Sequence, residues 1–195
     1  MRRDLLITAL VFTAIGFAGG VIYMQYGAPA SSRAAGPSSL AMPEDPAGLP
    51  EGHPPINLAQ QWQTLREKAE ASPGDPKAAL ELANFLFDIE RWEDATFWYK
   101  RALALEPKNT DARTDLATCY YNLKRYDEAI QEYNLVLELE PNKPQALYGL
   151  ALARLNGKQD VAGARQAYEQ LRRNHPNFPW TEELGQRLEA ESKRK

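Results

Sequence analysis

The feature that most constrains this chain is a repeat of about 34 residues in its C-terminal two thirds. Prolines fall at positions 73, 107, 141 and 176, at spacings of 34, 34 and 35 residues. Three further sets keep this period: Leu82, Leu116 and Leu150, then Ala95, Ala129 and Ala164, then Tyr99, Tyr133 and Tyr168. Self-similarity at such a period is typical of structural units that stack into an array.

Within each unit the apolar residues have helical spacing. In the middle unit Leu116 and Tyr120 begin one stripe, and Ala129 and Tyr133 begin a second. Each stripe follows the 3.6-residue period of an amphipathic helix. The polar residues 124–125 between them leave room only for a tight turn. Each unit is therefore predicted to be a pair of antiparallel helices.

Sequence signals also predict where helices begin and end. Proline is favoured in the first helical turn, so Pro76 and Pro144 predict two helix starts. Gly157, after an asparagine, is predicted to cap the end of a helix. Two flanking helices are predicted at 58–71 and at 181–193, the second with Thr181 as its N-cap.

The pattern resembles the tetratricopeptide repeat family. In the middle unit the resemblance is carried by Leu116, Ala117, Tyr120, Tyr126, Ala129, Tyr133, Val136 and Pro141. It implies an all-α, right-handed superhelical array with repeats at 76–109, 110–143 and 144–178 and capping helices at 57–75 and 179–195. The third repeat has one extra residue near 158–160. The family's aromatic residue early in the first helix is absent, since Ala79, Arg113 and Leu147 occupy that position.

In this family the first helix of each hairpin lines a concave, partner-binding face. The resemblance places nine residues there: Leu80, Asn84 and Phe87, then Thr114, Thr118 and Tyr121, then Tyr148, Leu152 and Leu155. This mainly apolar set suits an amphipathic helix or an extended apolar peptide, or it packs against the C-terminal helix instead. The family's clamp for acidic C-terminal peptides needs basic residues on this face. Only Lys77 is a candidate, so that clamp is not expected.

The N-terminal region reads as a membrane anchor followed by a spacer. Residues 5–26 are 22 uncharged, mostly apolar positions, and as a helix they would span roughly 33 Å, enough for a bilayer core. Arg2 and Arg3 precede this stretch, so residues 1–4 are expected in the cytoplasm. A cleaved secretory signal is the alternative, and either reading sends the repeats across the membrane.

Residues 27–56 hold seven prolines, four glycines, four serines and six alanines. A segment of this composition cannot bury enough apolar surface to order itself, which predicts a disordered linker. His53 lies within it and is interpreted as a solvated residue. Treated as a flexible coil, the linker would reach on the order of 30 Å.

Composition and motifs argue against catalysis and against nucleic-acid binding. The formal net charge is -3, which gives no basic surface for phosphates. The one cysteine, Cys119, is interpreted as a small buried apolar residue. No phosphate-binding glycine loop, serine nucleophile motif or metal-ligand spacing is present, so no enzyme activity and no cofactor are predicted.

These observations predict a membrane-tethered scaffold that binds a protein or peptide client outside the cytoplasm, on the periplasmic side of an inner membrane. The layout resembles the tetratricopeptide components of cytochrome c maturation systems. Residues 65–76 look like the entry to the repeats in that group, which implies an apocytochrome client. The alternative is an accessory subunit of another cell-envelope assembly or secretion complex.

Overall fold

The computed structural model describes residues 57–193. Across that range the chain forms eight α-helices: α1 Leu58–Ala71, α2 Pro76–Asp88, α3 Trp92–Leu105, α4 Thr110–Asn122, α5 Tyr126–Leu139, α6 Pro144–Lys158, α7 Val161–Asn174 and α8 Thr181–Ser192. The pairs α2–α3, α4–α5 and α6–α7 are the three predicted hairpins. The prediction of an all-α array of helical hairpins is confirmed.

Side-chain caps and prolines set most of the helix starts. Asp75, Asn109 and Asp160 each accept a hydrogen bond from a backbone N–H in the first turn of the helix that follows. Pro76 and Pro144 occupy the predicted first positions, where a missing N–H costs nothing. The first helices begin at Pro76, Thr110 and Pro144, so their starts recur at the repeat period of 34 residues.

Each hairpin turns through one residue with left-handed backbone. Glu90 has φ 59°, Lys124 has φ 61° and Gln159 has φ 51°. The extra residue of the third repeat lengthens α6, which ends at Lys158. The prediction that Gly157 caps this helix is wrong, because Gly157 lies inside α6 and Gln159 takes the left-handed conformation.

The prediction of Thr181 as an N-cap is also wrong. Thr181 is the first residue of α8, and the cap position is held by Trp180, whose φ is 63°. The Thr181 hydroxyl instead donates to the carbonyl oxygen of Phe178 at 2.7 Å. The Thr181 hydroxyl therefore stabilises the turn that precedes α8. The first backbone N–H groups of α8 have no side-chain acceptor.

The core follows the repeated small and large residues. Ala83, Ala117 and Ala151 in the first helices and Ala95, Ala129 and Ala164 in the second are fully buried. Small side chains let two helices of a hairpin approach closely, while Tyr99 and Tyr133 fill larger spaces in the same core. Consecutive helices pack against each other from α1 to α8, and neighbouring first helices also contact one another.

Arg113 occupies a position at which the tetratricopeptide family usually has an aromatic residue. It lies in α4 and forms an ion pair with Glu132 of α5, at 2.6 Å between Nη1 and Oε2. It also donates to the carbonyl oxygen of Pro107 at 2.8 Å. A largely buried ion pair thus joins the two helices of the middle hairpin at this position.

None of the helices between residues 57 and 193 is long and apolar enough to cross a membrane. The predicted anchor at 5–26, the linker at 27–56 and His53 lie outside the described residues.

Candidate protein-binding face

The nine predicted face residues all lie on α2, α4 and α6, the first helices of the three hairpins. Asn84 is exposed, and six others are half-buried: Leu80, Phe87, Thr118, Tyr121, Tyr148 and Leu152. Thr114 and Leu155 are only 6% and 7% exposed. Those two belong to the interior and offer a partner almost no surface.

Two of the polar residues on this face are held by the second helix of their own hairpin. The Tyr99 hydroxyl donates to Asn84 Oδ1 at 2.8 Å, and the hydroxyls of Tyr133 and Thr118 lie 3.0 Å apart. Burial raises the pKa of the Tyr133 hydroxyl, so it stays neutral as a hydrogen-bonding group. These contacts fix the orientation of each hairpin and leave the face mostly apolar.

An aromatic pair lies beside the turn of each of the first two hairpins. The rings of Phe87 and Trp92 are 5.1 Å apart between centroids, and those of Tyr121 and Tyr126 are 5.7 Å apart, both edge to face. The two pairs occupy equivalent repeat positions. Edge-to-face packing of this kind adds a modest stabilisation to each hairpin beyond the buried area itself.

A cluster of three aromatic rings lies where the third hairpin meets α8. Tyr148 is 5.9 Å from Phe178 and 5.8 Å from Trp180, and the latter two are 6.1 Å apart, measured between ring centroids. Trp180 is 59% exposed. We define the first-helix face as the accessible predicted residues of α2, α4 and α6 together with Trp180, which borders them: Leu80, Asn84, Phe87, Thr118, Tyr121, Tyr148, Leu152 and Trp180. Trp180 was missed from the sequence because it lies after the last repeat.

Hydrogen bonds connect this face to α8. Asn156 Nδ2 donates to the Tyr121 hydroxyl at 2.5 Å, and Arg187 Nη2 donates to Asn156 Oδ1 at 2.8 Å. Beside this chain of contacts is a cavity of about 590 Å³, lined by Leu155, Asn156, Gln159, Val161, Arg187, Ala190 and Glu191. The C-terminal helix therefore brings a guanidinium group to the face.

Carboxyl groups lie toward the other end of the face. Burial raises the pKa of the Asp115 carboxyl to about 6, and the negative charge of Asp111 contributes further, while Lys143 opposes the shift. Asp88, near the end of α2, also raises this pKa. Lys143 Nζ lies 2.6 Å from Asp111 Oδ1, so part of this charge is compensated within the fold.

The thiol of Cys119 in α4 does not offer a reactive nucleophile. Cys119 is fully buried, as interpreted from the sequence, and burial raises the pKa of its thiol to about 12. Thiolate is the nucleophilic form, so this cysteine is inert near neutral pH. No cluster of three potential metal-ligating side chains occurs between residues 57 and 193.

Stacked bihelical hairpins, small residues at the helix crossings and a partly apolar first-helix face define a helical-repeat protein of the solenoid class. Residues 97–155 match one family model described as a tetratricopeptide repeat, and residues 145–177 match a second with the same description. Residues 97–177 of this chain are therefore similar to tetratricopeptide repeats.

Several solved structures share this fold. The first tetratricopeptide domain of Spaghetti (RPAP3) is 24% identical, with a TM-score of 0.56 over 61% of this chain and 91% of that one. MamA is 20% identical, with a TM-score of 0.62 over 70% of this chain and 83% of that one. YrrB is 19% identical, with a TM-score of 0.62 over 66% of each chain. No curated protein sequence gives a significant match.

Proposed function

We propose that this protein is a non-catalytic scaffold whose first-helix face binds a segment of another protein. The observation that carries the proposal is the run of accessible apolar side chains from Tyr121 through Tyr148 to Trp180, which extends over successive helices. A large aromatic side chain exposed to 59% on an otherwise packed array provides contact area at little conformational cost.

Two relatives of the same fold support peptide binding as the mode. The Spaghetti (RPAP3) domain was solved bound to the HSP90 peptide SRMEEVD, and YrrB is described as having an unusual peptide-binding site. The acidic peptide of the first relative is not the class we propose here. Asp88 and Asp115 would repel it, and no basic cluster compensates for them on α2 and α4.

The proposal includes tethering to a membrane through residues 5–26, with the repeats on the periplasmic side. The uncharged stretch, the two arginines before it and the proline-rich residues 27–56 support this arrangement. Tethering would raise the local concentration of a client near membrane-bound machinery. Within this proposal, an apocytochrome awaiting haem attachment is the client that the resemblance at residues 65–76 favours.

Substitutions on the face test the binding proposal. Leu152→Arg and Trp180→Ala in the full chain should each reduce recovery of the partner by at least roughly tenfold, since a lost anchor typically costs 2 kcal/mol or more. Leu139→Arg is the matched control, because Leu139 is 46% exposed and lies at the end of α5, the second helix of its hairpin. Circular dichroism melting should show all three variants folded.

Crosslinking in membranes, followed by affinity purification and mass spectrometry, tests the client. Apocytochromes or haem-attachment proteins crosslinked to the wild type and lost with Leu152→Arg would support the cytochrome proposal. If envelope-assembly or secretion proteins crosslink to the wild type and are lost with Leu152→Arg, the client belongs to that class and the proposed binding face is still supported. Partners retained by both face variants would contradict the proposed function.

A further inference from the structure

The charged side chains that border the first-helix face are mainly negative. Asp88 and Asp115 each lie one helical turn from a face residue, on α2 and α4 respectively. On α8, Glu183, Arg187 and Glu191 follow one another at four-residue intervals, so they lie along one side of that helix. Two carboxyl groups there flank one guanidinium group. Both ends of the face therefore carry more negative than positive charge.

A comparison of the repeats shows that the Asp115 carboxyl lacks a cation of its own. Glu81, Asp115 and Gly149 occupy equivalent positions, 34 residues apart. In the first repeat the carboxyl group is paired within the chain, because Lys68 Nζ of α1 lies 2.5 Å from Glu81 Oε2. The residue equivalent to Lys68 one repeat later is Ala102, which is buried and uncharged. In the part of the chain that the structure describes, Asp115 takes part in no ion pair with an N···O distance up to 4.0 Å.

The surroundings of Asp115 leave its negative charge only partly compensated. The pKa of its carboxyl is raised to about 6 by burial, with further contributions from the negative charges of Asp111 and Asp88. Lys143 and a hydrogen bond with the Tyr99 hydroxyl oppose this shift, but Lys143 Nζ lies 2.6 Å from Asp111 Oδ1 and is shared with that carboxylate. A cation from outside the chain would therefore be stabilised at the junction of α2 and α4.

We propose that the segment bound by the first-helix face is cationic and amphipathic. A lysine or arginine side chain of this segment lies at the junction of α2 and α4, against Asp115 and Asp88. The apolar residues beside it lie against Tyr121, Tyr148 and Leu152. The partner's cation thereby takes the role that a lysine of α1 has in the first repeat. This inference rests on the proposed function and adds the charge of the bound segment, which is the property that suppresses wrong partners.

The α8 end of the face favours the same partner charge. Burial is the main cause of the raised pKa of the Tyr148 hydroxyl; of the two charges that act on it, Glu183 has the larger effect and raises it, whereas Arg187 lowers it. Lys77, the one basic residue of α2, lies eleven residues before Asp88, about 16 Å along the helix. An acidic segment would therefore meet net repulsion at both ends of the face, and a basic segment net attraction.

Selection of displayed peptides tests this inference with the full chain in mild detergent. A random library of 16-residue peptides on phage is selected in parallel against the wild type, Asp115→Asn and Glu93→Gln. Glu93→Gln is the matched control, because it removes the same charge from an exposed position in the first turn of α3, a second helix. The wild type and Glu93→Gln should both enrich peptides with lysine or arginine next to apolar residues. Asp115→Asn should lose most of this enrichment in basic residues.

A thermodynamic cycle then assigns the contact. The most enriched wild-type peptide is synthesised with both termini blocked, each of its basic residues is replaced in turn by glutamine, and affinities are measured by fluorescence anisotropy. Asp115→Asn should weaken binding roughly threefold to tenfold, and should have little further effect once one particular basic residue is glutamine. Glu93→Gln should change the affinity of every peptide by less than about twofold.

Leu152→Ala separates this inference from the proposed function, because it alters the apolar face without changing charge. Peptides that lose at least about threefold in affinity with Leu152→Ala, but contain no basic residue coupled to Asp115, overturn the charge assignment and leave the binding face intact. Peptides that bind Leu152→Ala as tightly as the wild type, or no enrichment on the wild type above background, overturn both. Circular dichroism melting of Asp115→Asn and Leu152→Ala excludes unfolding as the cause of weaker binding.

Discussion

Gly149 of α6 lies against the ring of Tyr133 from the preceding hairpin. A Cβ atom added there would come within 2.2 Å of Tyr133 Cζ and 2.5 Å of its hydroxyl oxygen. The Tyr133 ring is buried and hydrogen-bonded to Thr118, so it cannot move aside cheaply. We expect Gly149→Ala to destabilise the fold by about 1–2 kcal/mol, since overpacking outweighs the better helix propensity of alanine.

Gly74→Ala is the matched control, because nothing lies within 4 Å of a Cβ atom placed at Gly74. This change should alter the free energy of unfolding by less than about 1 kcal/mol. Urea unfolding followed by circular dichroism measures both variants. Equal midpoints for the two alanine variants would contradict the close packing of Gly149 and Tyr133.

The Asp115 carboxyl should make the fold less stable as pH rises. Its pKa is about 6 in the fold against 3.8 for the unperturbed group. The folded state therefore binds more protons than the unfolded chain between these values, and stability is lost as pH rises through this interval. Asp115→Asn removes the effect, so the variant should be more stable than the wild type at pH 7 by about 1–3 kcal/mol.

The measurement is urea unfolding of both proteins at pH 4, 5, 6 and 7. The extra stability of Asp115→Asn relative to the wild type should be small at pH 4 and grow toward pH 7. The difference in unfolding free energy between the two proteins removes the contribution of carboxylates that both share. Glu128 and Glu140 are examples, because hydrogen bonds from Arg125 and Thr110 respectively lower their pKa values. A difference that does not change with pH would show that Asp115 is solvated.

Single residues of the face were only partly predictable from the sequence. The repeat register identifies which positions share the first-helix surface, but it cannot say how deeply a neighbouring helix covers each of them. Thr114 and Leu155 are buried for that reason. Trp180 and Arg187 follow the last repeat, where the register ends, and only the docking of α8 brings them to the face.

At the scale of helices, the ion pair between Arg113 of α4 and Glu132 of α5 should contribute to the pairing of the middle hairpin. Both side chains are less than one fifth exposed, and Arg113 Nε is buried with no hydrogen-bond partner. Removing the carboxylate leaves a largely buried cation uncompensated. We expect Glu132→Ala to lower the free energy of unfolding by about 2–3 kcal/mol.

The exposed pair of Arg125 and Glu128 provides the comparison. These side chains are 47% and 41% exposed, so solvent screens their attraction. Glu128→Ala should cost less than about 1 kcal/mol. Thermal unfolding of Glu132→Ala and Glu128→Ala at the same salt concentration compares the two stability losses. A larger loss of stability for Glu128→Ala would show that the ion pair between α4 and α5 is not the stronger contact.

Helix boundaries followed the sequence where local chemistry alone decides them. Proline at the first position and aspartate or asparagine before it predict helix starts because they act on the nearest backbone groups. Gly157 did not follow this rule, since a Cβ atom there would come within 2.2 Å of Tyr126 Cγ. The glycine makes room for a ring from another hairpin, a tertiary requirement that local sequence signals do not contain.

Across the whole array, stability should be distributed according to the number of neighbours each helix has. The terminal helices α1 and α8 pack on one side only, whereas α4 and α5 lie between other helices. In such arrays stability is close to a sum of local and nearest-neighbour contributions. Amide hydrogen exchange should therefore be fastest in α1 and α8 and slowest in the middle hairpin.

Leu188 provides the sharpest test of this nearest-neighbour behaviour. It is fully buried in α8, which packs against α7 and α6. Leu188→Ala should cost about 2–4 kcal/mol locally. Exchange in α8 and the adjoining part of α7 should then rise at least tenfold, with α2 and α3 unchanged, while Leu139→Ala, at a 46% exposed position, changes neither. A uniform rise in the exchange rates of all the helices would mean that the array unfolds as one cooperative unit. Destabilising the last helix would then destabilise the first hairpin by the same amount.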